Sequence, residues 1–423
     1  MLNIDRLISF LRPTAIVLGL TLIAGNIDCR ACTAAVVTGK ATSDGRPLLW
    51  KHRDTDYLPN HVAHVKGERF DFIADVNSEN FDTAREAWIG VNDAGFAIMN
   101  TQSYNLVKIK PGEERGEANG RMIYRALEMC ETLEDFEHFL DTIAKPSLIE
   151  ANFGVIDAKG GAAIYEVDYY GYTKFDANDP EVAPEGYIAR TNFSVSGKHG
   201  KGSGHVRFLE ADDVLKAKAR EKGITPQFIY NDLSRSFHNP VIGVDLRDGR
   251  HNKPHGSGWF VDEDFIPRNI TSCSVVVQGV KEGENPQTDV MWTLLGYPPT
   301  GVAIPLWIPG EGQTLPEIVS YDPQLKCAPV SAWSLGLADS VFSLNKGNGT
   351  KKYLHWEKLY NNEGDGYMQK LVPVENAVFE ISEPLAGQWF EAGKVDLKKQ
   401  AELYGKISEM VTEGFEQTKE QKH

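Results

Sequence analysis

Two runs of the sequence set the terms for the rest of the chain. Cys32-Thr33-Ala34-Ala35-Val36-Val37 is small and β-prone, and Pro47-Leu48-Leu49-Trp50 passes directly into Lys51-His52-Arg53-Asp54-Thr55-Asp56. Ser43-Asp44-Gly45 between them is turn chemistry, so the pattern predicts a β-hairpin whose second strand carries charges back toward Cys32. Any fold this chain adopts has to keep that hairpin and the charges at its mouth together.

What precedes Cys32 adds a second constraint. Asp5, Arg6 and Arg12 lead into an uncharged run from Thr14 to Gly25. Twelve helical residues rise only about 18 Å, against a hydrocarbon core of about 30 Å, so a membrane span is disfavoured. Residues 1–31 read instead as a secretory signal peptide, with small residues at Cys29 and Ala31 marking a cut before Cys32. The implied location is secreted or periplasmic. A lipoprotein signal acylated at Cys29 or Cys32 fits less well, because Asp28 precedes Cys29 and Arg30 precedes Ala31.

Residues 32–423 are read as one domain, of α+β or layered α/β class. The full chain carries a net charge of −15, and the excised segment holds three basic and two acidic residues, leaving −16. Such a charge speaks against nucleic acid or an anionic membrane surface as the main partner. Of five cysteines, Cys29 is removed with the leader, and Cys32, Cys130, Cys273 and Cys327 are too scattered for a disulfide scaffold. His238, His251 and His255 cluster in sequence, yet their spacing matches no metal-ligand motif, and neither metal nor cofactor is expected.

Periodicity sketches the rest. Strands are predicted over His61–Phe72, Ala87–Gly90, Gly95–Met99, Ala151–Ile156, Ala162–Val167 and Tyr187–Asn192, and again over Ser272–Gln278, Asp289–Leu295 and Val302–Trp307. Helices are predicted from Gly120 through Cys130, after Thr132 as N-cap, over Val206–Lys222, over Pro226–Phe237 with Thr225 as N-cap, and over Leu397–Glu416. His238–Pro254 reads as a polar surface loop. Trp88, Phe96, Trp259, Trp292, Tyr297 and Trp307 are divided between core and a substrate pocket in a way that sequence does not sort.

An N-terminal cysteine has a chemical use. A thiol is mostly protonated at neutral pH, whereas an α-amine titrating at about 8 can serve as its base. A cation such as Lys51 or Arg53 would favour the thiolate, and Asp54 could orient the amine through a charge-assisted hydrogen bond.

Cys32-Thr33, the Asp-Gly turn and Lys51-His52-Arg53-Asp54 together resemble the N-terminal nucleophile (Ntn) hydrolases, in the branch of choloylglycine hydrolases, penicillin V acylases and acyl-coenzyme A:isopenicillin N acyltransferases. That branch usually shows Arg-Asn-x-Asp here, so Lys51 and His52 are departures, and lysine lacks the bidentate fork of arginine. A second register would match Arg53 and Asp56 instead. Gly90-Val-Asn-Asp-Ala-Gly95 is similar to a family stretch leading toward the oxyanion hole, which the resemblance assigns to Asn100, with Gln102 next. Asn192, which also opens an Asn-Phe-Ser sequon, looks like the family's oxyanion asparagine, and Arg207 like the arginine supporting the nucleophile.

The resemblance implies a four-layer αββα sandwich of two antiparallel sheets and a thiol amidohydrolase acting on a small-molecule linear amide. An acyltransferase using the same cysteine and a secreted binding protein on the same fold are the other readings. Bile-salt amides, phenoxyacetyl amides, N-acyl amino acids and short peptides all stay open as substrates.

Overall fold

A computed structural model describes residues 31–79, 81–108, 110, 119–262, 264–343 and 353–420, so the leader reading lies outside it apart from Ala31. The hairpin forms as β1 (Cys32–Val37) and β2 (Leu48–Asp54), with Cys32 opposite Arg53 and Val37 opposite Leu48. There follow β3 (Asn60–Val65), β4 (Phe72–Asn77), the single turn α1 (Phe81–Ala84), β5 (Ile89–Asn92) and β6 (Ala97–Gln102). Helices α2 (Asn119–Met129) and α3 (Leu133–Thr142) precede β7 (Ala151–Ile156), β8 (Ala162–Val167), β9 (Tyr172–Asp176) and β10 (Tyr187–Arg190). Then come α4 (His205–Arg220), the short α5 (Pro226–Phe228), a minor hairpin of β11 (His238–Asn239) and β12 (Val244–Asp245), and β13 (Trp259–Val261). The chain finishes with β14 (Thr271–Gln278), β15 (Val290–Leu295), β16 (Ile304–Leu306), α6 (Pro329–Ala338), β17 (Phe342–Ser343), β18 (Tyr353–His355), α7 (Tyr367–Ala392) and α8 (Leu397–Glu420).

Two antiparallel sheets dominate. One runs β10-β1-β2-β14-β15-β16, and the other runs β3 to β9 in chain order. Most of their strands are buried on both faces, as strands of a sandwich covered by helices are. The inner faces meet where Val36 and Leu49 close on Gly154, and a Cβ there would lie only 2.2 Å from the terminal carbon of Met99 and 3.0 Å from Val36. A side chain there would have to displace the Met99 terminus and press on Val36 and Leu49. The outer face of the second sheet carries Phe72, Phe96, Phe153 and Tyr165 against Met122, Leu127, Phe136 and Leu140 of α2 and α3. On the other side, Trp292 of β15 stacks on Phe379 of α7 at 4.3 Å, and Trp307 meets Trp389 edge-on. Each such buried aromatic contributes roughly 2–3 kcal/mol. The result is the four-layer α-β-β-α sandwich expected from the hairpin and its resemblance, with β1 interior to its sheet.

The capping expectation at Thr132 is met by a reciprocal pair, Thr132 accepting from the Asp135 N–H while the Asp135 side chain accepts from the Thr132 N–H. Other boundaries move. The strand expected over His61–Phe72 is two strands separated by the polar Lys66–Asp71 connection. The helix expected through Phe237 ends earlier, as α5 plus a wide turn over Ile229–Leu233. His238–Pro254 is not all loop, since β11 and β12 pair within it. Helix α7 had no sequence forecast because Pro373 and Pro384 interrupt it; it persists by burying Leu371, Val378, Phe379, Ala386, Trp389 and Phe390, which outweighs the lost backbone bonds.

Candidate active site

Antiparallel pairing delivers the site. Cys32 opens β1, Asp54 closes β2, Thr271 opens β14 and Asn192 follows β10 by two residues, so all four arrive at the same end of one sheet. Gln102 closes β6 of the facing sheet at that end. Between them lies a cavity of about 430 Å³ lined by Cys32, Lys51, Arg53, Asp54, Trp88 and Asn100, among others.

Cys32 is held at both backbone ends by side chains distant in sequence. Its N–H donates to Asn192 Oδ1 at 2.9 Å. Its carbonyl accepts from Arg207 Nη1 at 2.6 Å. The same guanidinium donates to Thr33 Oγ1 and to Asn192 Oδ1, both at 2.9 Å, while Asn192 Nδ2 donates to the Gln102 carbonyl at 2.8 Å. Arg207 is fully buried, and burial pulls its guanidinium down to about 10, with Arg268 adding to the shift and Asp54 and Asp264 opposing it.

Lys51 shares the inner face of β2 with Arg53. Its ammonium donates to the Trp88 carbonyl at 3.0 Å, the Asn100 carbonyl at 2.7 Å and Asn100 Oδ1 at 2.6 Å. Three acceptors match the three protons of a charged amine and exceed those of a neutral one. Burial nonetheless lowers Lys51 to about 8, an effect opposed first by Cys32. Asn100 therefore spends its oxygen on Lys51, and its Nδ2 has no hydrogen-bond partner among the described residues. Arg53 donates from Nη2 to Asn77 Oδ1 at 2.8 Å and lies over the Trp88 ring at 4.4 Å.

Asp54 is held differently. Arg268 donates to its Oδ2 from Nη2 at 2.6 Å and from Nε at 3.1 Å, and Thr271 Oγ1 donates to Oδ1 at 2.6 Å. His52 lies beside it, buried and with its ring pulled down to about 4 by burial, against the attraction of Asp54. It is neutral at pH 7. Asp56 is exposed at the cavity rim.

The structure thus gathers all the residues singled out from sequence: Cys32, Lys51, Asp54, Asn100, Gln102, Asn192 and Arg207, with Arg53 and Asp56 of the alternative register. Two have partners other than the expected ones. Asn192 accepts from the Cys32 nitrogen and has its amide on Gln102, where an oxyanion donor was expected; Asp54 accepts from Arg268 and Thr271, where the nitrogen of Cys32 was expected. Sequence reasoning passed over Arg268, Thr271, Asp75 and Cys273. Arg268 and Thr271 did carry a signal, as the polar lead-in to the predicted strand at Ser272. The loop histidines separate, His238 onto Glu210 at 2.6 Å and His251 against Phe260. Of the aromatics, Trp88 lines the cavity and Phe96, Trp292, Tyr297 and Trp307 are core. Trp259 stacks on His355 in the small β13-β18-β17 sheet.

No protein-family model and no curated protein sequence matches the chain. Among solved structures it is similar to an N-acylethanolamine-hydrolyzing acid amidase ortholog of Caenorhabditis elegans, at 14% identity and a TM-score of 0.35 over 58% of this chain and 92% of that one. It is also similar to a variant of the conjugated bile acid hydrolase of Clostridium perfringens, at 10% identity and a TM-score of 0.41 over 66% and 92% of the two chains. A third is penicillin V acylase of Agrobacterium tumefaciens, at 12% identity and a TM-score of 0.37 over 66% and 86%. At this distance the functional reading rests on the geometry around Cys32.

Proposed function

We propose that the chain is exported through its N-terminal segment, that the Ala31–Cys32 bond is cut, and that Cys32 then serves as nucleophile in hydrolysis of a small-molecule linear amide. The observation that carries this reading is Cys32 itself: a thiol at a cavity floor whose backbone nitrogen and carbonyl are both fixed by buried side chains. A structural cysteine has no need of such a mounting.

Cutting the bond converts the Cys32 nitrogen from an amide into an amine. One of its N–H bonds keeps its place on Asn192 Oδ1, so the lone pair has a fixed direction relative to the thiol. In its neutral form the amine takes the thiol proton, and the thiolate attacks the substrate carbonyl carbon. The Asn100 Nδ2 donor receives the oxyanion, positioned by the Lys51 ammonium on its oxygen. As the tetrahedral intermediate collapses, the C–N bond breaks and the α-ammonium returns the proton to the leaving amine. Water then hydrolyses the thioester, with the α-amine again as base. Arg207 fixes the first two residues of β1 and Asn192 together, which keeps amine and thiol in register.

The test is twofold. Mass spectrometry of the mature protein is expected to find Cys32 first, and a panel of N-acyl amides is expected to include a substrate whose turnover falls by roughly three orders of magnitude or more in Cys32→Ala. A mature chain starting elsewhere, or turnover surviving in Cys32→Ala, overturns the proposal.

A further inference from the structure

Around Cys32 and Lys51 lie three further buried ionisable side chains, Arg53, Cys273 and Asp75, that the steps above leave unused. Register places Cys32 opposite Arg53, and Arg53 opposite Cys273 of β14. The three form one row across the central strands, on the face turned toward the second sheet. Lys51 stands two residues along β2 on the same face. From the second sheet, Asp75 of β4 reaches this row, and its Oδ2 accepts from Cys273 Sγ at 3.3 Å.

Asp75 has no exposed surface, and its Oδ1 has no hydrogen-bond partner among the described residues. A buried carboxylate in that state is costly unless cations face it. Two do. Lys51 and Arg53 have only neutral hydrogen-bond partners among the described residues, namely the Trp88 and Asn100 carbonyls, the side chains of Asn100, Asn77 and Ser272, and the Trp88 ring. Two cations without a paired carboxylate and one carboxylate without a paired cation share one buried layer between the sheets. Asp54 is not available to balance them, being committed to Arg268.

We propose that Asp75 is a positioning residue of the Cys32 site: the counter-charge, held by the Cys273 thiol, that keeps Lys51 protonated on Asn100 and Arg53 seated behind the nucleophile. This rests on the amidohydrolase reading for its catalytic consequence. The charged and titratable groups acting on Lys51 are Cys32 on β1, Arg53 on β2, Cys273 on β14 and Asp75 on β4. Those acting on Asp75 are Arg53, Cys273 and Lys51, which together oppose the upward push of burial on its carboxyl. Burial likewise keeps the Cys273 thiol protonated by pushing it well above its ordinary range, so it acts as a donor. No bond to it is made or broken.

The experiment titrates Lys51 directly by NMR of lysine labelled with carbon-13 at Cε, the Lys51 signal being assigned by its loss in Lys51→Met. Wild type is expected to titrate at about 8. In Asp75→Asn the midpoint is expected to fall by about half a unit or more, roughly a threefold change in the ionisation constant. Cys273→Ala, which leaves the carboxylate without its donor, is expected to move it the same way by less, and Asp75→Glu to restore it. The alkaline limb of amide turnover is expected to move with the midpoint. A Lys51 midpoint that stays fixed or rises in Asp75→Asn overturns the proposal, and one that moves there but not in Cys273→Ala overturns the part given to the thiol. Because the titration needs no substrate, failure of the amidase reading would show separately, as turnover that survives in Cys32→Ala or an unexpected mature N-terminus.

Discussion

Arg207 grips Cys32 from both sides: its Nη1 donates to the Cys32 carbonyl at 2.6 Å, and its Nη2 donates at 2.9 Å to the same Asn192 oxygen that accepts the Cys32 N–H. One guanidinium on α4 thereby fixes the residue that opens β1 and the side chain that orients its nitrogen. The forked shape is what permits this, since a lysine has no second arm at the required spacing.

Arg207→Lys is therefore expected to fold less stably and to lose most activity. Breaking a buried cation site whose two terminal nitrogens are hydrogen-bonded costs roughly 3 kcal/mol, measurable as a lower urea midpoint. If turnover is near wild type in the lysine variant, the fork is not what positions Cys32.

Lys51 gives a pH dependence whose sign can be fixed in advance. Its folded value is about 8, against an ordinary lysine value of 10.5. The unfolded chain therefore binds more protons between those two values, and stability rises with pH across that window. Below pH 8 the charged, buried amine costs its full amount, and from pH 7 to 9.5 that cost shrinks by about 2 kcal/mol. The Lys51 contribution to activity moves the opposite way, setting the alkaline limb of turnover above the rise that comes from neutralising the α-amine, because the ammonium that holds Asn100 is lost. Urea denaturation of wild type and Lys51→Met at both pH values reads the stability slope, which is expected to be absent in the variant.

How much of this was readable beforehand follows from where each group sits. The β1–β2 hairpin was legible because its alternation and its Asp-Gly turn are local, and Cys32 was legible because cleavage chemistry and position coincide. Asn192 and Arg207 were located through resemblance, but their partners were not, since side-chain direction at a strand end is set by the sheet opposite. Asp75 gave no signal at all. A single acid in Phe72–Asn77 reads as an outward-facing residue of an ordinary strand, and only packing of two sheets turns it toward Cys273. Helix α7 was hidden for the converse reason, as local proline chemistry argued against an element that long-range burial sustains.

His52 predicts acid sensitivity. Burial holds its ring at about 4 in the folded chain, against an ordinary histidine value of 6.5. Between those values the unfolded state takes up the extra proton, so stability falls as the pH drops from 6.5 toward 4 and then levels. The loss from pH 7 to 5 is about 2 kcal/mol from this group. His61, also lowered to about 4 by burial, adds to it with the same sign. Denaturation midpoints at pH 7 and 5 are expected to differ less in His52→Gln than in wild type. An unchanged difference would mean that His52 takes its proton without unfolding.

The two registers proposed for the charged strand end make opposite demands on Asp54 and Asp56. Asp54 has a fully buried side chain and is held by Arg268 at 2.6 Å, whereas Asp56 is exposed at the rim. Asp54→Asn leaves the Arg268 guanidinium facing a neutral group in a nearly dry setting, and roughly 3 kcal/mol of stability is expected to be lost with it. The loss should carry activity down, because Thr271 and the first residues of β14 are anchored to the same carboxylate. Asp56→Asn removes a solvated charge and is expected to change stability by no more than about 0.5 kcal/mol, with turnover close to wild type. Urea titrations and amide turnover of the two variants, run side by side, decide between the registers. A silent Asp54→Asn together with a crippled Asp56→Asn would move the working pair to Arg53 and Asp56.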